Sequence, residues 1–324
     1  MSSPTPLQSF LGGLGLALPV HALMLLNGNV FGISGFLHRA VRGGKEAIVA
    51  VVGLVLGGVF VGFLEDNGPN PLTLGLSRVL LSGFLVGLGS KLSNGCTSGH
   101  MISGISRLST RSFVATATFF TTGVITARIS HSTDLPTIGS LDWTLGEHGK
   151  SFLAFQIFPF AISTLLYFLP VVKLESESKF TKPSQHLRLL AYLSTGFEFA
   201  LALRLSNLSE ANRVLGFLLL PFSSAFDPSL AFLSLGALPL SIILYRFHRG
   251  PEKARLGGPW AIPKGGHVDR KLLGGAALFG VGWGMAGICP GPGLINLGRA
   301  LAGGSDATQI INWLGAVALG GLLV

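Results

Sequence analysis

Cys96 and Cys289 are the two most nucleophilic side chains this 324-residue chain offers, and it has no other cysteine. They stand in the glycine-rich stretches Asn94-Gly95-Cys96-Thr97-Ser98-Gly99-His100 and Gly287-Ile288-Cys289-Pro290-Gly291-Pro292-Gly293. Each follows a long apolar run and precedes a short one. A short helix beginning at either cysteine would leave the backbone N–H groups of Thr97 to Gly99 and of Gly291 to Leu294 free, and such helix starts attract anions. Pro290 suits a first helical position, where its missing N–H costs nothing. A thiol with an ordinary pKa of about 8.5 is mostly protonated at neutral pH and donates to an anion. Its soft, polarizable sulfur favours a sulfur-bearing ligand over chloride or phosphate. The competing reading makes both cysteines small buried apolar residues. Two cysteines 193 positions apart form neither a disulfide framework nor a CxxC-type zinc site.

Other groups accompany the thiols. His100 is either a donor to the ligand or a partner for a backbone carbonyl, since polar groups in a membrane must be satisfied either way. Lys91 reads as a snorkelling anchor, Arg299 as a rim charge and Trp283 as packing for the path. Asn94 and Asn207 either bond a ligand or tie bent segments to their spans, and the tie is favoured. No Ser/His/Asp set, HExxH or Walker loop is present. Gly12, Gly13 and Gly15 lack the βαβ context of a dinucleotide fingerprint. No catalytic residue, metal or cofactor is therefore expected, and no charged residue deep in a span marks a proton relay.

The elements that position these residues follow from composition. The chain is 48% hydrophobic and 11% charged, with mean hydropathy +0.60, where a soluble domain is about 25% charged. Apolar runs long enough to cross about 30 Å of hydrocarbon recur throughout. A β-barrel would show short alternating segments instead. The expected fold is an all-α polytopic membrane protein with about nine transmembrane helices and four short re-entrant helices. The spans are placed at about 9–27, 45–64, 72–92, 111–130, 151–172, 187–205, 228–247, 270–288 and 306–324. The short segments lie near 29–41, 96–106, 208–220 and 290–301. Irregular backbone at membrane depth persists only when buried in protein or lining a polar cavity.

Of the 23 Lys and Arg residues, Arg128, Lys150, Arg204, Arg213 and Arg299 fall on one side of this arrangement. Arg78 and Lys91 fall in or near the third span, and the remaining sixteen on the other side. Positive loops stay cytoplasmic, so the N-terminus is expected outside and the C-terminus inside, in the plasma membrane. No Lys or Arg precedes Arg39, so the first run is expected to be retained rather than cleaved as a signal peptide. The net charge of +9 forms no dense basic stripe, which argues against nucleic acid as a partner.

Short internal matches suggest repeats. Lys91-Leu92-Ser93-Asn94 recurs as Arg204-Leu205-Ser206-Asn207, which places Ser209 where Cys96 stood. Asn27-Gly28-Asn29 matches Asn94-Gly95-Cys96, and Gly87, Gly89 and Cys96 align with Gly280, Gly282 and Cys289. Residues 1–172 and 187–324 are then inverted halves joined by a linker at 173–186. The two cysteines would approach the middle from opposite faces.

Gly95-Cys96-Thr97-Ser98-Gly99-His100, Gly287-Ile288-Cys289-Pro290-Gly291-Pro292, Gly32-Ile33-Ser34-Gly35 and the stretch from Gly216 to Leu230 together resemble the YeeE/YedE sulfur-transport family. The resemblance covers nearly the whole chain. It implies an hourglass-shaped importer in which thiosulfate passes between thiols through S–H···S hydrogen bonds, with Cys96 and Cys289 as relay residues. Bacterial members carry a further cysteine in the first repeat, where this chain offers Asn29, Ser34 and His38. The function expected is import of thiosulfate or a related small sulfur anion, with the lipid bilayer and a cytosolic sulfur-carrier protein as further partners. A membrane sulfurtransferase holding a persulfide is the alternative, and a structural subunit is a third reading.

Overall fold

The computed structural model describes residues 3–72, 74–131, 135–169 and 184–324, and these fold into helices joined by short connections. The long ones are α1 (Pro6–Asn27), α3 (Lys45–Glu65), α4 (Leu76–Leu92), α6 (Thr110–His131), α7 (Gly146–Phe168), α8 (Gln185–Leu205), α10 (Ser229–His248), α11 (Arg270–Ala286) and α13 (Thr308–Leu322). Between them lie α2 (Ile33–Val41), a π turn at Thr97–Ile102 continued by α5 (Ser103–Ile105), α9 (Ala211–Leu218) and α12 (Pro290–Ala302). The chain is an all-helical, polytopic membrane protein. Most of the linker at 173–186 lies outside the described residues, and Gln185 already opens α8.

The long described helices fall where the nine spans are expected, but length and hydropathy alone do not mark all of them as crossing. Among the described residues, α1, α3, α6, α7, α10 and the run Arg270–Ala302 meet both the length and the hydropathy of a span taken alone. α4 has 17 residues and α13 has 15; at about 1.5 Å per residue, α13 covers roughly 22 Å. α8 has the length, with 21 residues, but carries Arg188, Glu198 and Arg204. The run Arg270–Ala302 is itself broken, because Gly287 adopts φ 69° between α11 and α12.

Side-chain ties fix the directions. Arg188 pairs with Glu46 at the starts of α8 and α3, and Arg204 pairs with Glu65 at their ends, so these two helices run parallel. Ser9 donates to Ser206 O, which sets α1 antiparallel to α8. Arg42 reaches Val324 O, while Thr5 N–H donates to Ser229 Oγ at the start of α10. The described chain therefore begins at one face of the bundle and ends at the other. The face with Arg39, Arg42, Lys45, Arg107, Arg111 and Arg188 is strongly basic.

Lipid gives helices no hydrophobic reason to associate, so small residues that admit close backbone contact hold such bundles together. A Cβ on Gly53 would fall 2.5 Å from Leu193 O, and one on Gly83 at 2.5 Å from Trp313 O. The same economy joins α3 to α12, where a Cβ on Gly62 would meet Arg299 O at 2.8 Å. Phe63, Ile129, Phe158 and Phe168 stay exposed on the outer faces, as lipid contact requires.

The four long helices that precede short ones end alike. Gly28, Asn94, Asn207 and Gly287 take φ of 67°, 59°, 59° and 69°, one or two residues past the last helical residue. A left-handed residue at this point stops a helix, and Gly and Asn adopt it most readily. At Gly287 the requirement is double, since a Cβ would also meet Ala211 O at 2.5 Å. Beyond these breaks, Cys96 and Cys289 occupy the N-cap of the π turn and of α12, with φ/ψ of −122°/−165° and −121°/174°.

Candidate functional site

The two N-caps come together at the centre of the bundle. Cys289 Sγ lies 3.3 Å from Thr97 Oγ1, and Cys96 Sγ lies 3.3 Å from Ser98 Oγ. Both thiols are thus tied to two consecutive residues, Thr97 and Ser98. Cys96 is 1% exposed. Ser98 Oγ also accepts the Ile33 N–H at 3.2 Å, fastening the start of α2 to the same point.

Two chambers meet there. A cavity of about 70 Å³ is lined by Cys289, Thr97, Ser98, Gly291 and Ile33, with apolar walls from Leu16, Phe199, Leu203, Trp283 and Pro292. A vestibule of about 830 Å³ opens on the basic face and includes Asn29, Gly32, Ser34, Asn94, Gly95, Gly99 and His100. Ile33 belongs to the cavity while its neighbours Gly32 and Ser34 belong to the vestibule; Ser98 and Gly99 divide likewise. The partition is one residue thick. A Cβ on Gly99 would lie 3.9 Å from Gly32 Cα, an ordinary contact that brings the two glycine stretches side by side.

The vestibule is built for negative charge. Arg39, Lys91, Arg107, Arg111 and Arg188 line it against a single carboxylate, Glu46, which Arg188 holds at 2.7 Å. Arg39, Lys91 and Arg107 have no carboxylate within 4.0 Å among the described residues. Lys91 therefore points its charge into a chamber as well as anchoring a helix end. A strap from residue 249 to 269 roofs the vestibule. Arg107 donates to Pro263 O at 2.9 Å and Arg111 to His267 O at 2.6 Å, while Ala261 N–H donates to Gly28 O at 2.7 Å.

The other sequence candidates divide. His100 donates from Nε2 to Ser93 O at 3.1 Å and accepts from Ser112 Oγ at Nδ1, 3.3 Å away, so both ring nitrogens serve the helix end. Asn29 donates to Tyr192 OH at 2.8 Å. Asn207 lies in neither chamber: it bonds Thr5 and Gln8 and accepts from Arg204. Ser209 is buried beside Asn296, which donates to its carbonyl at 2.8 Å, and it too lines neither chamber. Gly293 is not a free donor, because its N–H bonds Cys289 O at 3.0 Å. At the first helical turns the N–H groups of Thr97 to Gly99 have no backbone partner, and of the second set Gly291 sits on the cavity wall.

Two features escaped the sequence reading. Arg299 is no rim charge: it is 2% exposed and pairs with Glu65 at 2.9 Å and Glu210 at 2.6 Å, closing a square with Arg204. Glu198, in mid-α8, is 0% exposed and neither of its oxygens has a partner. A lone Glu inside the run Phe197 to Leu205 was its only sequence signal.

A membrane bundle whose breaks bring two thiols and hydroxyls to its centre, beneath a basic chamber, has the build of a small-solute transporter. The chain belongs to the YeeE/YedE-type sulfur-transport family. Residues 10–126 match the family described as Sulphur transport, and residues 187–321 match a Family of unknown function (DUF6691). The chain is 47% identical to a protein of Xylella fastidiosa (strain 9a5c) named Probable transporter, over 121 residues that make up 36% of this chain and 89% of that relative. A second Probable transporter of the same strain is 34% identical over 115 residues, 36% of this chain and 78% of the relative. No solved structure matches.

Proposed function

We propose that the protein imports thiosulfate or a related small sulfur anion across the plasma membrane, handing it from Cys289 to Cys96 and on to the basic vestibule. The observation that carries this is the one-residue partition, with Cys289, Thr97 and Ser98 on the cavity side and Asn94, Gly95, Gly99 and His100 behind it. A thiosulfate ion moving through it would accept from the Cys289 and Cys96 thiols, from Thr97 and Ser98, and from the N–H groups at the two short-helix starts. Asn29 and Ser34 then stand where the family's further cysteine would be, as oxygen and nitrogen donors on the vestibule wall. Asn207, Ser209 and Gly293 support the breaks without touching the ion.

In this reading residues 1–172 and 187–324 are inverted halves, the basic face is cytoplasmic, and the N-terminus lies outside. The four matched left-handed breaks and the near-identical N-cap dihedrals of the cysteines support it. The vestibule would also be the place where a cytosolic sulfur carrier receives the cargo.

Uptake of labelled thiosulfate into proteoliposomes tests the relay. Removing a donor from a charged ligand costs about 1.5–3 kcal/mol, so Cys96→Ala and Cys289→Ala should each slow uptake about tenfold or more. Full uptake by both variants would refute the relay. A lasting mass adduct on either thiol after thiosulfate exposure would instead assign the chemistry to a sulfurtransferase.

A further inference from the structure

We propose that Glu198 is a proton-binding site and that anion import is coupled to proton entry through it, an inference resting on the transport reading above. A carboxylate inside a membrane span is costly unless paired, and such residues are rare outside ion pathways. Glu198 is fully buried, and both of its oxygens lack a hydrogen-bond partner among the described residues. Nothing structural accounts for it: it ties no helices together and caps none. An unpaired carboxyl in this setting rests in its neutral, protonated form, because only that form avoids a bare charge in low dielectric.

Among the described residues the surroundings hold no compensating charge. α8 packs against α1, α3, α7 and α12. The ionisable groups of α3 and α12 are Lys45, Glu46, Glu65 and Arg299, all towards the helix ends, where Glu46 pairs with Arg188 and Glu65 with Arg204 and Arg299. α7 contributes Glu147, His148, Lys150 and Tyr167, again near its ends. His21 of α1 lines a separate small cavity against Tyr245 and Ser241 of α10. On α8 itself His186, Arg188, Tyr192 and Arg204 lie at least six residues away.

Position links this group to the ion path. The next residue, Phe199, lines the thiol cavity and stacks on Phe31 at 4.8 Å between ring centroids. One turn towards the basic face is Thr195, and one turn further Tyr192, whose hydroxyl meets Asn29 in the vestibule. The carboxyl lines neither chamber itself but sits on the helix that walls both, two turns from Tyr192 on the vestibule wall. A divalent anion entering against an inside-negative potential carries two opposed charges, and each cation that accompanies it offsets one of them. A proton taken up by Glu198 from outside and released through the vestibule supplies one: Glu198–COOH loses H⁺ to the cytoplasm and regains it from the outer medium, with no other bond changed.

Proteoliposomes separate the possibilities. With wild-type protein, an outside-acid gradient of one pH unit should raise thiosulfate accumulation about tenfold for one proton per anion. A thiosulfate pulse should also acidify the lumen, read by a trapped pH dye. Glu198→Gln keeps the shape of the protonated side chain; it should preserve downhill uptake within about threefold yet respond to neither the gradient nor the pulse. Gradient-driven accumulation surviving in Glu198→Gln, or wild-type uptake indifferent to the gradient, overturns the coupling and leaves the importer standing. Wild-type vesicles that take up no thiosulfate at all overturn both.

Discussion

The molecule carries two concentrations of arginine at its two faces, and they do opposite things. On the basic face, Arg39, Lys91 and Arg107 line an open chamber without a carboxylate partner. At the other face Arg204 and Arg299 are buried and locked to Glu65 and Glu210 in a square of ion pairs. Positive charge alone does not make an anion site. What decides is whether the protein has already spent that charge on itself.

The sharpest way to break the contrast is to remove one corner of the square. Arg299→Ala leaves Glu65 and Glu210 sharing Arg204 as their cation, and breaking a buried pair costs about 3–5 kcal/mol. Thermal unfolding in detergent should shift down steeply or the protein should fail to accumulate; an unchanged midpoint would mean the square is dispensable. Next in size is the paired substitution Arg39→Gln with Lys91→Gln. It should leave the unfolding midpoint alone but weaken thiosulfate uptake at low salt by about three- to tenfold, with the difference shrinking in high salt as screening replaces the lost charges. Equal loss at all salt concentrations would contradict an electrostatic role. Smallest is Glu252→Gln on the roofing strap. Its carboxyl is held below the usual range by a hydrogen bond from Lys264, at 2.9 Å, with Arg249 beside it. The lowered pKa places any stabilisation above its unfolded value, to be lost as pH falls through the folded one. The group is half-buried at the protein surface, where ion pairs contribute little, so the melting midpoint should not move measurably.

Sequence patterning located much of this arrangement and missed the rest for identifiable reasons. The short segments near 29–41, 96–106, 208–220 and 290–301 contain α2, the π turn with α5, α9 and α12. Their signal is local: a glycine or asparagine, then a run too short to cross. The matched offsets of Cys96 and Cys289 rest on the same local grammar. Arg299 could not be read that way, because its partner Glu65 is 234 residues distant and nothing in either neighbourhood marks the pairing. The expected bounds of α4 and α13 are too wide, because the apolar surroundings extend past the helices themselves. Lys91 looked like an anchor because its charge ends a span; the chamber it faces is assembled from helices far apart in sequence.

The protein has only two cysteines: Cys289 lines the smaller chamber, and Cys96 lies behind its wall, bonded to Ser98. That makes it its own reporter. A thiol reagent too bulky for a cavity of about 70 Å³ should leave the molecule unmodified, whereas a small permeant one should react first at Cys289 and later at Cys96, which is 1% exposed. The lag between the two reactions, timed on unengineered protein, is a clock for how often the partition opens.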